Sequence, residues 1–312
     1  MKHSWDRLIQ GIEDRDVRAM SRLITRVENR EKGWKETMAK LFTMTGSPRV
    51  IGITGSPGAG KSTLTCEIAR ELSQNGHSIG IIAVDPSSPF SGGALLGDRL
   101  RMQEIFTIPE VYIRSMATRG MLGGLCQAAR DVVRIMAAFG KEFILIETVG
   151  VGQDEIEIVK AADQVMVVLV PGQGDGIQAI KAGVMEIADI YVINKCDRPG
   201  ADEVMADVQG MLSLSKDAGE ILPPVMKTSA VNREGIAPLV ETLLSNCLAA
   251  KGKKLHQAVR VKEEILTLME REVFRRIRDR WEEDERLRTF ITQVMDKKSD
   301  PYSIVREMLD QN

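Results

Sequence analysis

Residues Gly55-Ser56-Pro57-Gly58-Ala59-Gly60-Lys61-Ser62 fit the spacing G-x-x-x-x-G-K-[ST], and that spacing is suited to holding phosphates. Glycines let successive backbone N–H groups turn inward, and the helix that follows adds the positive end of its dipole. Lys61 reaches the β- and γ-phosphates as a point charge, and the Ser62 hydroxyl can join a Mg²⁺ shell. The apolar run Val50–Thr54 precedes the loop and a helical run, Lys61–Ser73, follows it, which is the context the motif requires.

A phosphate loop of this kind needs an acid at the end of another strand, to hold the metal or to orient water. Glu147 closes the apolar run Phe143–Glu147, where a carboxylate is costly unless it serves a purpose. Gly150 completes an acid-x-x-Gly pattern whose N–H can meet the γ-phosphate. Asp85 follows the run Ile79–Val84 and opens a Pro- and Gly-rich loop, and Asp98 lies farther along it. Taken alone, either aspartate reads equally as a cap or a loop carboxylate.

A second cluster reads a base. Asn194-Lys195-Cys196-Asp197 follows the run Ile190–Ile193. The Asp197 carboxylate can accept from the ring N–H and the amino group on one edge of guanine, a donor pair that adenine lacks. Asn194 can bond the base and brace its loop, and the Lys195 stem can lie along the ring plane. Thr228, Ser229 and Ala230 sit where a further loop can back the base through N–H groups. Together the clusters point to GTP or GDP as ligand, with Mg²⁺.

Seven short runs rich in β-branched residues must position these groups: Val50–Thr54, Ile79–Val84, Val111–Ser115, Phe143–Glu147, Val165–Val170, Ile190–Asn194 and Val225–Ser229. They are apolar on both faces and mostly separated by helical periodicity, which predicts a doubly wound, mostly parallel α/β sheet covered on both sides. Residues 1–47 read as a helical N-terminal extension, 48–250 as the nucleotide domain and 251–312 as a helical C-terminal region. Leu266, Met269, Val273, Ile277 and Trp281 form a narrow stripe in that last region, as in a solvated helix packed on its own domain or one that pairs with a second copy. Asp300-Pro301 predicts an N-cap and first helical position.

With 42 basic and 44 acidic residues the net charge is −2, which gives no reason to expect a nucleic-acid or membrane partner. The four cysteines and three histidines are scattered, which argues against disulfides or a zinc site and for a reducing, cytoplasmic setting. The amino terminus lacks the apolar stretch of a signal peptide, and no run is long enough to span a membrane.

Taken together, Gly52–Thr63, Val84–Pro89, Gly92–Met102, Arg114–Gly120 with Leu122-Gly123-Gly124, Glu147–Gln153 and Asn194–Asp197 resemble the MeaB/ArgK/MMAA family. These are P-loop NTPases of the SIMIBI class, GTPases that escort adenosylcobalamin-dependent acyl-CoA mutases, chiefly methylmalonyl-CoA mutase. The resemblance implies a nucleotide site that includes Thr63, and a Mg²⁺ shell of Ser62, Asp85, Asp98 and Glu147. It also implies catalytic roles for Lys61, Asp98 and Glu147, and switches at Asp85–Met102 and Glu147–Asp154. Pro171–Ala188 corresponds to a further switch that meets the mutase, and the family works as a homodimer. Many signalling GTPases place a water-orienting glutamine where this chain has Val151; Gln153 comes later, and Arg99 or Arg101 is a candidate cis arginine. Slow hydrolysis that a partner accelerates is therefore expected. Two alternatives are a metal-insertion GTPase and a kinase, as an older family label (LAO/AO transport system kinase) has it.

Overall fold

The computed structural model describes residues 2–85, 105, 107–108, 110–117, 124–148, 161–172, 188–215, 222–249, 254–282 and 285–310. The chain divides into two compact units, Met1–Ala249 and Ala250–Asn312.

The first unit opens with three helices, α1 (Lys2–Glu13), α2 (Val17–Glu28) and α3 (Trp34–Phe42). The strands are β1 (Arg49–Gly55), β2 (Ile79–Asp85), β3 (Val111–Ala117), β4 (Phe143–Glu147), β5 (Gln164–Leu169), β6 (Ile190–Ile193) and β7 (Val225–Lys227). Between and after them lie α4 (Lys61–Gln74), α5 (Gly124–Phe139), α6 (Ala201–Ser215) and α7 (Ile236–Ala249). The seven strands form one sheet in the order β3-β2-β4-β1-β5-β6-β7, and every pair is parallel. Each of the seven apolar runs became a strand, because each is buried on both faces and only a helix-covered parallel sheet accommodates that.

Alternation along the strands divides the core. Ile51, Ile53, Leu145 and Val168 face α4 and α7, packing with Leu64, Ile68, Leu239 and Leu243. Val50, Ile82, Ile144 and Ile146 face the other way, onto Met20, Leu23, Ile24 and Leu41 of the N-terminal helices and Val132, Ile135 and Met136 of α5. Val165, Val167, Tyr191 and Ile193 pack with Val208 and Leu212 of α6. The stripe Ala19, Met20, Leu23, Ile24 and Val27 on α2 is buried. At roughly 1.5–3 kcal/mol for each large apolar side chain buried, it holds α2 firmly to the sheet, so the N-terminal helices close one face of the core. Turns at Arg15 and at Arg30–Gly33, with backbone in the left-handed region, break this segment into three helices.

The second unit contains α8 (Lys254–Glu282), α9 (Glu285–Met295) and α10 (Pro301–Asp310). Trp281, Phe290 and Ile304 form its small core, with Ile277, Val294 and Met308 against them. Asp300 caps α10 as expected: its Oδ1 accepts from the N–H groups of Tyr302 at 2.9 Å and Ser303 at 3.0 Å. Leu266, Met269 and Val273 of the stripe are about half exposed, together with Val261, Ile265 and Phe274. Among the described residues no helix is long and apolar enough to cross a membrane.

Candidate functional site

β1 lies at the centre of the sheet; the chain leaves it for β2 on one side, and leaves its neighbour β4 for β5 on the other, so the loop after β1 sits at a topological switch point, where α/β sheets bind ligands. The backbone there is built by glycine. Gly55, Gly58 and Gly60 have φ of +142°, +76° and +84°. A Cβ on Gly55 would strike the Val168 carbonyl oxygen of β5, and one on Gly60 would lie 2.6 Å from Asn194 Nδ2. Ser56 is half-buried, Pro57 and Gly58 face outward and Ala59 is buried. Gly60 caps α4 without a side-chain hydrogen bond, which leaves that helix end to an anion.

Lys61 is buried at 6% exposure and folds back over the loop; its Nζ donates to Gly55 O at 2.7 Å and to Ser56 O at 3.0 Å. The ammonium is thus held over the hollow where phosphates would lie. Ser62 Oγ donates to Glu147 Oε1 at 2.5 Å. β1 and β4 are neighbours, with Ile53 opposite Glu147, so adjacent strands deliver the loop and the acid to one point. Thr63, the next residue of α4, is exposed. Asp85 ends β2, the strand beside β4, with its backbone paired to Ala117. The Asp85 side chain, Asp98, Arg99, Arg101, Gly150, Val151, Gln153 and the residues between 173 and 187 lie outside the described residues.

The base-reading cluster is clasped to the phosphate loop. β6 stops at Ile193 and β7 at Lys227, each shorter than its apolar run, because the next residues turn their side chains into loops. Asn194 is 1% exposed; its Nδ2 donates to Ala59 O at 2.8 Å, and its Oδ1 accepts from Thr228 Oγ1 and from the Ala230 N–H, both at 3.2 Å. Lys195, at φ +58°, donates from Nζ to Gly58 O at 2.7 Å. Ser229 Oγ donates to Asp197 Oδ1 at 2.6 Å. The N–H groups of Ser229 and Ala230, expected to back the base, are engaged by Glu234 O and Asn194 respectively. The pair therefore braces the loop and holds Asp197.

Three contributors escaped the sequence reading: Thr228 as the second brace of Asn194, the Lys195–Gly58 link, and Glu67. Glu67, on α4 and 8% exposed, pairs with Arg233 at 3.0 Å, which ties the loop after β7 to the helix after the phosphate loop. Only an acidic residue among the apolar neighbours of α4 hinted at this.

The Ser229 hydrogen bond holds the Asp197 carboxyl below the usual aspartate range, with help from a backbone bond and from Arg198 and Lys195. A carboxyl with a lowered pKa stays ionised as pH falls, and loses its charge only below about 3.9, the ordinary value. The ratio of GDP to ADP affinity is therefore expected to stay flat from neutral pH down to about 4.5. In Ser229→Ala its acidic decline moves to higher pH. Equilibrium titrations over that range check this, the ratio cancelling general acid effects on the protein. An unchanged decline in the variant would exclude the Ser229 contact as the cause.

With the geometry in place, four similarities bear on it. A family model described as "Methylmalonyl Co-A mutase-associated GTPase MeaB" matches residues 20–285. A Pyrococcus horikoshii protein named as a GTPase is 44% identical over 98% of this chain and 97% of its own length. The mouse protein named methylmalonic aciduria type A homolog, mitochondrial, is 38% identical over 66% of this chain and 53% of its own length. Among solved structures, one of a LAO/AO transport system kinase superposes with a TM-score of 0.73, covering 99% of this chain and 98% of that one. Its sequence is 24% identical, so the likeness is one of fold.

Proposed function

The chain belongs to the MeaB family of methylmalonyl-CoA mutase-associated GTPases, and from that premise we propose that it is a GTP-driven chaperone of an adenosylcobalamin-dependent acyl-CoA mutase. The family description and the mouse relative support the partner. The observation that carries the switch reading is the 2.5 Å contact between Ser62 and Glu147. It joins the end of the phosphate loop to the residue where the second switch segment, Glu147–Asp154, begins. Nucleotide phosphates and Mg²⁺ arriving at Ser62 would compete for this contact and so act on Glu147, and their departure would let it re-form. Nucleotide state becomes a change in the arrangement of that segment, and so a difference in affinity for the partner.

The chain's own residues divide the work. The glycine-built backbone of Gly55–Gly60 wraps the phosphates, and Lys61 moves from loop carbonyls to phosphate oxygens. Asp197 reads the guanine edge while Asn194 and Lys195 keep base loop and phosphate loop in register. Ser62 Oγ and Glu147 Oε1 already converge, and hard oxygen donors of this kind suit Mg²⁺. With Asp85 and Asp98 they would hold that ion, which when bound neutralises charge building on the phosphates. The half-exposed apolar residues of α8 support association with a second copy of the chain.

Val151 stands where a water-orienting glutamine serves other GTPases, so turnover alone is expected to be slow. Adding a purified adenosylcobalamin-dependent acyl-CoA mutase is expected to raise the steady-state release of phosphate from GTP by at least about tenfold. Equal rates with and without the mutase contradict the proposal.

A further inference from the structure

A cavity of about 600 Å³ opens between α1, α2 and β3. β3 is the edge strand, separated from β1 by β2 and β4, so this cavity is distinct from the nucleotide site. Its volume lies in the range, roughly 300–1,000 Å³, of small-molecule sites. Four arginines line it: Arg7 from α1, Arg22 and Arg26 from α2, and Arg114 from β3.

Two of these guanidinium groups are fixed in place. Arg26 pairs with Glu31 at 2.7 Å and stacks on the Trp5 ring, 3.9 Å from its centroid. Arg114 pairs with Glu28. Ser21, also on the wall, shares a 3.0 Å hydrogen bond with the Tyr112 hydroxyl. The other two, Arg7 and Arg22, are exposed and meet no carboxylate among the described residues. Among the described residues two positive charges are therefore left without a carboxylate partner, at a concave site whose lining surface is mostly apolar, with Leu8 in its wall.

Guanidinium groups at the wall of one hollow can match phosphate oxygens, which they bind through paired hydrogen bonds. We propose that this cavity binds a phosphate-bearing small molecule, a phosphate ester or a diphosphate, at a second site separate from the phosphate loop. Arg7 and Arg22 supply the charge, and Arg26 and Arg114, each held by a glutamate, supply a fixed wall.

The test uses the full chain saturated with GDP, so that the phosphate loop is occupied. Pyrophosphate and ATP are titrated calorimetrically into the wild type, into the double variant Arg7→Gln/Arg22→Gln, and into Arg18→Gln, which alters an exposed α2 arginine outside the cavity. Binding to the wild type should weaken at least about tenfold in the double variant. It should be unchanged in Arg18→Gln, with GDP affinity the same in all three. Tighter binding of ATP than of pyrophosphate assigns the site to a phosphate ester, and equal binding to the diphosphate group alone. No binding to the wild type at millimolar concentration, equal binding to the double variant, or an equal loss in Arg18→Gln overturns the proposal.

Discussion

Replacing Lys61 with alanine is expected to lower kcat for GTP by about a hundredfold to a thousandfold, the usual cost of removing one preorganised donor from developing charge. The structure supplies the reason. Lys61 is buried, and its ammonium is held over the loop by the Gly55 and Ser56 carbonyls. It need only exchange carbonyl oxygens for phosphate oxygens, so little reorganisation is required during the reaction. Charge grows on the oxygen that bridges the β- and γ-phosphates as its bond to the γ-phosphorus breaks, and the loss should therefore fall more on kcat than on GDP affinity. Single-turnover hydrolysis and GDP titration together check this split. Turnover within tenfold of wild type would show that Lys61 does not meet the transferred phosphate.

The second large effect is a change of base. Asp197→Asn should weaken GDP binding by at least about a hundredfold, since two charge-assisted bonds are lost. The new amide would also point donors at the N–H groups that Asp197 accepts from. Xanthosine diphosphate carries a carbonyl in place of the 2-amino group, and its binding should improve in the same variant. Retained Asn194–Ala59 and Lys195–Gly58 links keep the loop in place, so the effect reads base recognition rather than loop collapse. Parallel titrations with the two diphosphates measure it. An equal loss for both bases would instead assign Asp197 a role in loop structure alone.

The strands were the most legible feature. Val165–Val170 and Phe143–Glu147 carry apolar side chains on both faces, and no exposed element tolerates that pattern. The cap at Asp300 was also legible, because the dipeptide Asp-Pro carries its own geometry. The joint between Ser62 and Glu147 followed in part: an acid at a strand end is conspicuous, but adjacency of β1 and β4 depends on strand order, which local sequence does not encode. Less visible were the partners of Asn194. Thr228 and Ala59 are ordinary residues far apart in the chain, and only the folded sheet brings them together. The role of the first three helices was hidden for a similar reason. Their apolar stripes predict helices, but not that Leu23, Ile24 and Leu41 close one face of the sheet. Nothing in the sequence singled out the arginines of α1 and α2, which only the fold places beside Arg114 of β3.

The clasp between the two loops bears on the switch. Asn194 reaches the phosphate loop at Ala59, and Glu67 on α4 reaches back to Arg233 beyond β7. Base loop, phosphate loop and α4 therefore behave as one rigid seat for the nucleotide. The proposed switch would then act through Glu147, which is joined to this seat by Ser62. On the proposed switch reading, affinity for the partner would be set by the γ-phosphate, while the guanine end stays fixed.

The most direct test of this account is the affinity of the protein for an adenosylcobalamin-dependent acyl-CoA mutase in two nucleotide states. One titration uses protein loaded with GDP, the other protein loaded with a non-hydrolysable GTP analogue. The account predicts dissociation constants that differ by at least about tenfold, the coupling expected of a nucleotide switch. Equal constants, or no binding in either state, would contradict it.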